Sequence, residues 1–354
     1  MQSELISVKV GGQSFSGWKK IKVHLALKAA HSFEFSVAAE MGGAQVAALF
    51  NDFTEVKIYA GSDLVLTGFV DYREPEFDAT SASITIAGRS KSAHAVDCSA
   101  VHATGSFKNK TLLQIANELD YIGIGFKTDQ TLIIIPRHQL VMGRSIFNEL
   151  EGLARDQGLV LIGQPDGSIK ISNPGAASQR HTGGLIEGYN IKKASAPFDC
   201  SGRHAKYHVR GQLNGSSVDG ELQIESTAAD STVPVNRQKI VVAHGDTDKS
   251  RAKVRAKNHR DRAAGFGLKA NITTVGWRDD GGTLFMPGYK IWTDSDFLNV
   301  HQDMLIEHVD FTQANPNEGS LSVLGLVDPR AYGGKKGKVN KSGAGWSMDD
   351  SEAT

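Results

Sequence analysis

At 354 residues the chain exceeds one ordinary domain and suggests roughly two to three. Its 39 basic and 39 acidic side chains cancel, which argues against tight nucleic-acid binding as the main task, because neutralising phosphates drives that affinity and demands a basic excess. Hydrophobic residues make up 40%, enough for ordinary cores, and no apolar run approaches the ~20 residues of a membrane span.

MQSELISVKV lacks a basic region followed by an apolar core, so no secretory signal is expected. The two cysteines, Cys98 and Cys200, cannot make a disulfide framework and suit a reducing compartment. The 38 glycines against 9 prolines fit many turns between short strands.

The first hundred residues read as β. Val8-Lys9-Val10, Gly11-Gly12 and Phe15 predict a hairpin with a tight Gly-Gly turn. Ile21, Val23, Leu25 and Leu27 alternate with Lys20, Lys22, His24 and Lys28, a half-buried strand with a wet, basic outer face. Phe33, Phe35 and Val37 repeat that period. Val56 to Tyr59 and Leu64 to Leu66 flank an Ala60-Gly61-Ser62-Asp63 turn. Gly68 to Tyr72 is a further strand, which Pro75 and the acidic stretch Glu74 to Asp78 are expected to interrupt as a loop. In Ser83 to Ala87, Ile84 and Ile86 share one buried face. Six or seven strands in this span suggest a small barrel or sandwich.

Residues 105–180 change period. Leu112, Ile115, Ala116 and Leu119 fall on one helical face behind Thr111 as N-cap, and a second helix runs from Ser145 through Phe147, Leu150, Leu153 and Ala154 to Gly158. Leu132 to Ile135 is an apolar strand stopped by Pro136. Leu159 to Ile162, a Gln164-Pro165-Asp166-Gly167 turn and Ile169 to Ile171 complete an α+β unit.

From about residue 183 the β pattern returns, with strands at Tyr189 to Ile191, Lys206 to Val209, Leu222 to Ile224, Leu268 to Val275, Lys290 to Trp292, Met304 to Phe311 and Ser320 to Val327. One helix, about Thr247 to Ala264, interrupts. It is strongly basic, with Lys249, Arg251, Lys253, Arg255, Lys257, Arg260 and Arg262 against Asp248 and Asp261. The favoured reading is a solvated helix packed by Ala252, Val254, Ala256, Ala263 and Ala264; the alternative is a positive face for DNA in transit or an acidic neighbour. Gly333 to Thr354 is too polar to repay its own ordering and reads as a flexible tail, with Trp346 as a candidate anchor on a partner.

The fold class is therefore mainly β with an α+β insert. Two small β-barrel-like domains, 1–100 and 183–332, flank an α+β domain at 101–182, and the tail occupies 333–354.

Catalytic signatures are incomplete. Gly88-Arg89-Ser90-Lys91-Ser92 approaches a nucleophile elbow without its final glycine and follows an antiparallel-type strand, so a strand exit is the better reading of Ser90. Gly123-Ile124-Gly125 lacks the third glycine of a dinucleotide loop. His204 and His208 have the spacing of zinc ligands on a helix, but on a strand four residues separate them by ~13 Å. His94, Cys98 and His102 would align only on a helix that Ala95-Val96 and Val101 do not clearly support. Glu74, Glu76 and Asp78 share a face if extended, as carboxylates serving acid–base catalysis do, yet read better as a solvated loop. No catalytic, cofactor-binding or metal-ligating residue is assigned, no cofactor is expected, and the chain is read as a non-enzyme.

Gly68-Phe69-Val70-Asp71, Ile84-Thr85-Ile86 leading into Gly88-Arg89-Ser90-Lys91, and Val96-Asp97-Cys98-Ser99 carry more identity than any of these motifs. With Val8 to Gly12, Phe15 to Trp18, Met304 to Ile306 and Leu324 to Pro329, they resemble, in order, the baseplate hub proteins of Mu-like contractile-tailed bacteriophages over about residues 5–332. The resemblance implies a structural hub in the virion tail baseplate, assembled in the bacterial host cytoplasm. It implies a homotrimeric, pseudo-sixfold ring that joins the tail tube to a central spike and lets DNA pass, with other baseplate proteins as partners and no membrane anchor. The competing expectation is a cell-wall-polymer hydrolase or carbohydrate-binding tail module, which would need Glu74 to Asp78, or Trp277 and Trp292, to line a cleft.

Overall fold

The computed structural model describes residues 4–27, 30–38, 49–79, 81–177, 179–212, 223–314 and 319–335. The expectation for Trp346 and most of the tail lies outside these residues.

The first β region holds β1 (Ile6–Val10), β2 (Gln13–Phe15), β3 (Lys20–Ala26), β4 (Ser32–Ala38), β5 (Glu55–Ala60), β6 (Asp63–Phe77) and β7 (Ala82–Ser90). The insert holds the short helix α1 (His94–Asp97), β8 (Ser106–Thr111), α2 (Leu112–Leu119), β9 (Phe126–Thr128), β10 (Ile134–Gln139), α3 (Ile146–Asp156), β11 (Val160–Gly163) and β12 (Ile169–Ser172). The last region holds β13 (Arg180–Ile186), β14 (Ile191–Ser195), β15 (Lys206–Gln212), β16 (Ile224–Ala229), β17 (Gln238–Asp246), α4 (Lys249–Phe266), β18 (Lys269–Val275), β19 (Lys290–Ser295), β20 (Val300–Gln313) and β21 (Ser320–Val327).

Local signals act as their chemistry requires. Val10 pairs with Gln13 across Gly11-Gly12, and both glycines take positive φ (54° and 83°), the backbone that a two-residue turn between twisted strands needs. Thr111 caps α2 with a full capping box: its hydroxyl accepts from the Gln114 N–H, and the Gln114 side chain accepts from the Thr111 N–H at 2.8 Å. Ser145 caps α3 through the Asn148 N–H. Ile21, Val23 and Leu25 are buried, with Lys20 and Lys22 exposed.

Four expectations need correction. Of the acidic stretch only Asp78 lies in a turn; Glu74 to Phe77 are strand. β6 runs unbroken for 15 residues, with Glu74, Pro75 and Glu76 opposite Thr85, Ile84 and Ser83 of β7. Proline is tolerated because β5 stops at the Glu55–Phe69 pair, which leaves the other edge of β6 open. Pro136 does not end its strand either. It sits inside β10, opposite Asn109, at a position that contributes no ladder pair and where Asn109 is left-handed. Tyr189 and Asn190 form a turn: the Asn190 side chain accepts from the Ile186 N–H and donates to the Gly184 carbonyl, competing with strand pairing. A helical turn, α1, does form at His94–Asp97.

The two β regions are not separate closed barrels. One 13-stranded sheet runs β14-β18-β21-β20-β3-β4-β7-β6-β5-β1-β2, with β13 and β19 attached through β20. The 14-residue β20 is the joint. Its first half pairs with β19 and its second half with β3, while β21 flanks it on the other side. One core fills the inner side of this sheet, from Ile6, Val23 and Phe35 to Trp277, Phe311 and Leu324. The insert has its own core around Phe107, Ile115, Leu150 and Ile171. A third cluster of Leu27, Val160, Ile162, Leu305, Val327, Ala331 and Tyr332 seams insert and sheet together. A separate sheet, β16-β15-β17, packs Val209, Ile224 and Ala243 on Ala252 and Ala256 of α4.

Candidate assembly surfaces

Across β3, β4, β6, β7 and the second half of β20, the side of the main sheet opposite its core is polar, and strand register sets its charges. Lys22 on β3 lies opposite Glu34 on β4 and pairs with it at 3.5 Å. His24 lies opposite Asp310 on β20, with Nδ1 2.6 Å from Oδ1. Hydrogen bonding to His24, with His308 beside it, holds the Asp310 carboxyl below its usual range. Arg89 on β7 bridges Asp71 at 2.6 Å and Asp97 at 2.8 Å. Lys22, Glu34, His24, Asp310, Arg89 and Asp71, with Ser32, Tyr72 and Thr312, line a shallow groove across five strands. Within this groove Lys22, His24 and Arg89 each meet a carboxylate.

β6 and β7 extend past this groove as a hairpin whose tip holds the predicted carboxylates. Glu74 accepts from the Tyr72 hydroxyl, which raises the Tyr72 pKa. Asp78 closes the turn by accepting from the Ser81 N–H (2.8 Å) and hydroxyl (2.9 Å). Residues Asp71 to Phe77 are exposed, Phe77 at 85%. Glu74, Glu76 and Asp78 are all exposed.

The other sequence candidates separate in space. Ser90 is buried: its hydroxyl accepts from the His31 N–H at 3.1 Å and bonds Ser92 at 2.7 Å. A Cβ at Gly88 would lie 2.0 Å from the Phe69 carbonyl oxygen, so the glycine serves a close strand approach. His204 precedes β15 and packs its ring on Tyr207, while His208 sits within β15 and meets Glu225, Thr227 and Gln238. His94 rests against Phe69 and His102 against Phe107. Among the described residues no three His, Cys, Asp or Glu side chains come together to hold a metal ion. Cys98 and Cys200 are both free thiols. Trp277 and Trp292 line no cleft: they are 0% and 2% exposed, and Trp277 stacks on Phe311.

The basic helix divides by residue type. Its arginines turn inward or pair: Arg255 meets Asp156 of α3 at 2.9 Å, Arg260 meets Asp261 at 2.7 Å, and Arg262 lies over the Phe266 ring. Burial, and then the nearby Arg255, Lys239, Arg262 and Arg155, lower the His259 pKa to about 4. Lys249, Lys253 and Lys257 remain exposed and Ala252, Ala256 and Ala264 pack inward, as the solvated-helix reading expects, but Val254, expected to pack with them, is 50% exposed.

Sequence reasoning missed Arg278, a side-chain tie that adds to the β20–β3 pairing between the chain's two β regions. Its Nε donates to Glu4, its Nη1 to Asp63 (2.7 Å) and the Gly282 carbonyl (3.0 Å), and its Nη2 to the Ala60 carbonyl (2.8 Å). Trp277-Arg278-Asp279 carries no local signal for partners more than 200 positions away.

Comparison with known proteins gives two family matches in chain order. The family described as "Mu phage baseplate assembly protein GpP-like, N-terminal" matches residues 5–90, and "Baseplate hub protein gp44-like, second domain" matches residues 92–173. The baseplate hub protein gp44 of Escherichia phage Mu is 26% identical over 345 residues, covering 93% of this chain and 89% of that protein. The 43 kDa tail protein of prophage MuSo2 from Shewanella oneidensis is 27% identical, with a TM-score of 0.79 over 93% of this chain and 99% of that one. A tail protein from Neisseria meningitidis shares the fold at 19% identity, with a TM-score of 0.78 over 94% of this chain and 98% of that one.

Proposed function

We propose that this chain, a baseplate hub protein of the Mu-like phage-tail family, closes with two further copies into a ring that joins the tail tube to the central spike. The observation that carries the reading is the polar groove across β3, β4, β6, β7 and β20, where Lys22, His24 and Arg89 each meet a carboxylate, set opposite one continuous core. Turned inward in a ring, that face lines a wet channel. An excess of free cations there would hold phosphates through counterion release, whereas cations matched by carboxylates let DNA move. Lys22 and Arg89 are so matched, and His24 hydrogen-bonds Asp310.

The role is mechanical and needs no reaction. The division into units at 1–100, 101–182 and 183–332, with the 333–354 tail, belongs to this reading. So do spike, tube and other baseplate proteins as partners and assembly in the host cytoplasm. Among the described residues no helix is long and apolar enough to cross a membrane.

The test is solution mass by light scattering across a concentration series. The ring predicts a mass near three chains of 38.0 kDa. A monomer at every concentration overturns it. A cell-wall clearing assay on the same protein is expected to be blank, and clearing lost in Glu76→Gln would overturn the non-enzymatic role.

A further inference from the structure

Two exposed surfaces of the chain have opposite charge and matching apolar anchors. The first is the β8–β10 ribbon with the loop that follows it. Lys108 and Arg137 lie directly opposite each other in the ladder, both exposed, and neither side chain has an ion-pair or hydrogen-bond partner among the described residues. Like charges facing across a strand pair repel, and a carboxylate supplied from outside relieves the repulsion. The neighbouring acids are already committed: Glu118 pairs with Lys110, and Glu149 is buried with His138. The ribbon and the residues flanking β10 also expose Ile133 (50%), Ile134 (59%), Val141 (47%) and Met142 (96%), a large amount of bare apolar surface.

The second surface is the β6–β7 tip, with Glu74, Glu76, Tyr72 and Phe77. Glu76 has no partner among the described residues, and Phe77 is 85% exposed. Pro75 on the open edge of β6 removes a backbone donor, so the tip is built to dock by side chains rather than by adding a strand.

We propose that the acidic, aromatic tip of one copy docks on the basic, apolar ribbon of a second copy, with Glu74 and Glu76 between Lys108 and Arg137 and Phe77 against Met142. The two patches differ, so the contact is head-to-tail, the kind that closes rings. The inference rests on the ring reading above.

Sedimentation and light scattering on the full chain test it. Glu74→Lys with Glu76→Lys, and separately Lys108→Glu with Arg137→Glu, are each expected to raise the concentration of half-dissociation at least tenfold, and all four changes together to restore it. Every site is exposed, so the thermal melt of each variant confirms folding. In a Cys98→Ser, Cys200→Ser background, mixing a Phe77→Cys chain with a Met142→Cys chain is expected to give a disulfide-linked dimer on mild oxidation. If the unmutated chain stays monomeric, the ring itself fails. If it assembles but is indifferent to both reversals, or the mixture gives no linked dimer, the tip–ribbon contact is wrong and the ring stands.

Discussion

Replacing Arg278 with alanine removes one side chain that holds the amino-terminal residues, the β5–β6 turn and the 278–284 loop together. Its guanidinium is 24% exposed, against 14% for the Glu4 side chain and 51% for that of Asp63. The Glu4 pair, shielded from water, is worth about 1–2 kcal/mol, and the exposed Asp63 pair no more than about 1 kcal/mol. Ala60 is fully buried and its carbonyl loses a donor, at about 1 kcal/mol. The sum predicts a loss of roughly 3 kcal/mol for Arg278→Ala. Arg278→Lys keeps the charge but not the planar fork that reaches four acceptor groups at once, so it should recover about half of that. Urea unfolding at unchanged slope measures both variants. Hydrogen exchange on the folded protein should show lost protection at 60–63 and 278–284 before other regions. A loss below about 0.5 kcal/mol, or full recovery in Arg278→Lys, would refute the reasoning.

Gly265→Ala should destabilise the chain although alanine favours helix. Its Cβ would stand 2.0 Å from the Ala331 nitrogen, and overpacking of about 1–3 kcal/mol exceeds the ~1 kcal/mol helix gain; an unchanged or raised melting temperature would contradict this. His31 is buried, and burial pushes its pKa down to about 4 against the pull of the Ala26 carbonyl. The unfolded chain takes up this proton near pH 6.5, so stability should fall as pH drops from about 6.5 to about 4 and then level, by at most roughly 3 kcal/mol from this group. A His31→Leu variant with the same pH slope of unfolding would rule this origin out. Thr111→Ala breaks the capping box of α2 and should cost about 1 kcal/mol by urea unfolding; no change would mean that tertiary packing alone fixes that helix.

The fold class was legible wherever a local rule decides the outcome. The period-two pattern placed Ile21, Val23 and Leu25 inside, and Thr111 and Ser145 capped the helices expected of them. Ala252 and Ala256 packed α4 as its composition suggests. Misreadings came where local rules had exceptions set by neighbours. A proline ordinarily stops a strand, yet Pro75 and Pro136 each sit where no ladder bond is demanded. Trp277 and Trp292 looked available for a cleft because a sequence does not state which aromatics the core absorbs.

By itself, then, the sequence determined the strands and helices, the caps and turns, and the ordered fragments that resemble Mu-like hubs. These are properties of residues within a few positions of each other, where backbone preference and side-chain period act. Only the tertiary structure decided that β20 pairs with β3 to make one sheet of the two β regions, that Arg278 reaches Glu4, and that Lys22, His24 and Arg89 face carboxylates. Those contacts depend on register between segments as far as 286 positions apart. A one-residue slip would turn every such side chain to the other face, and no local preference fixes that register.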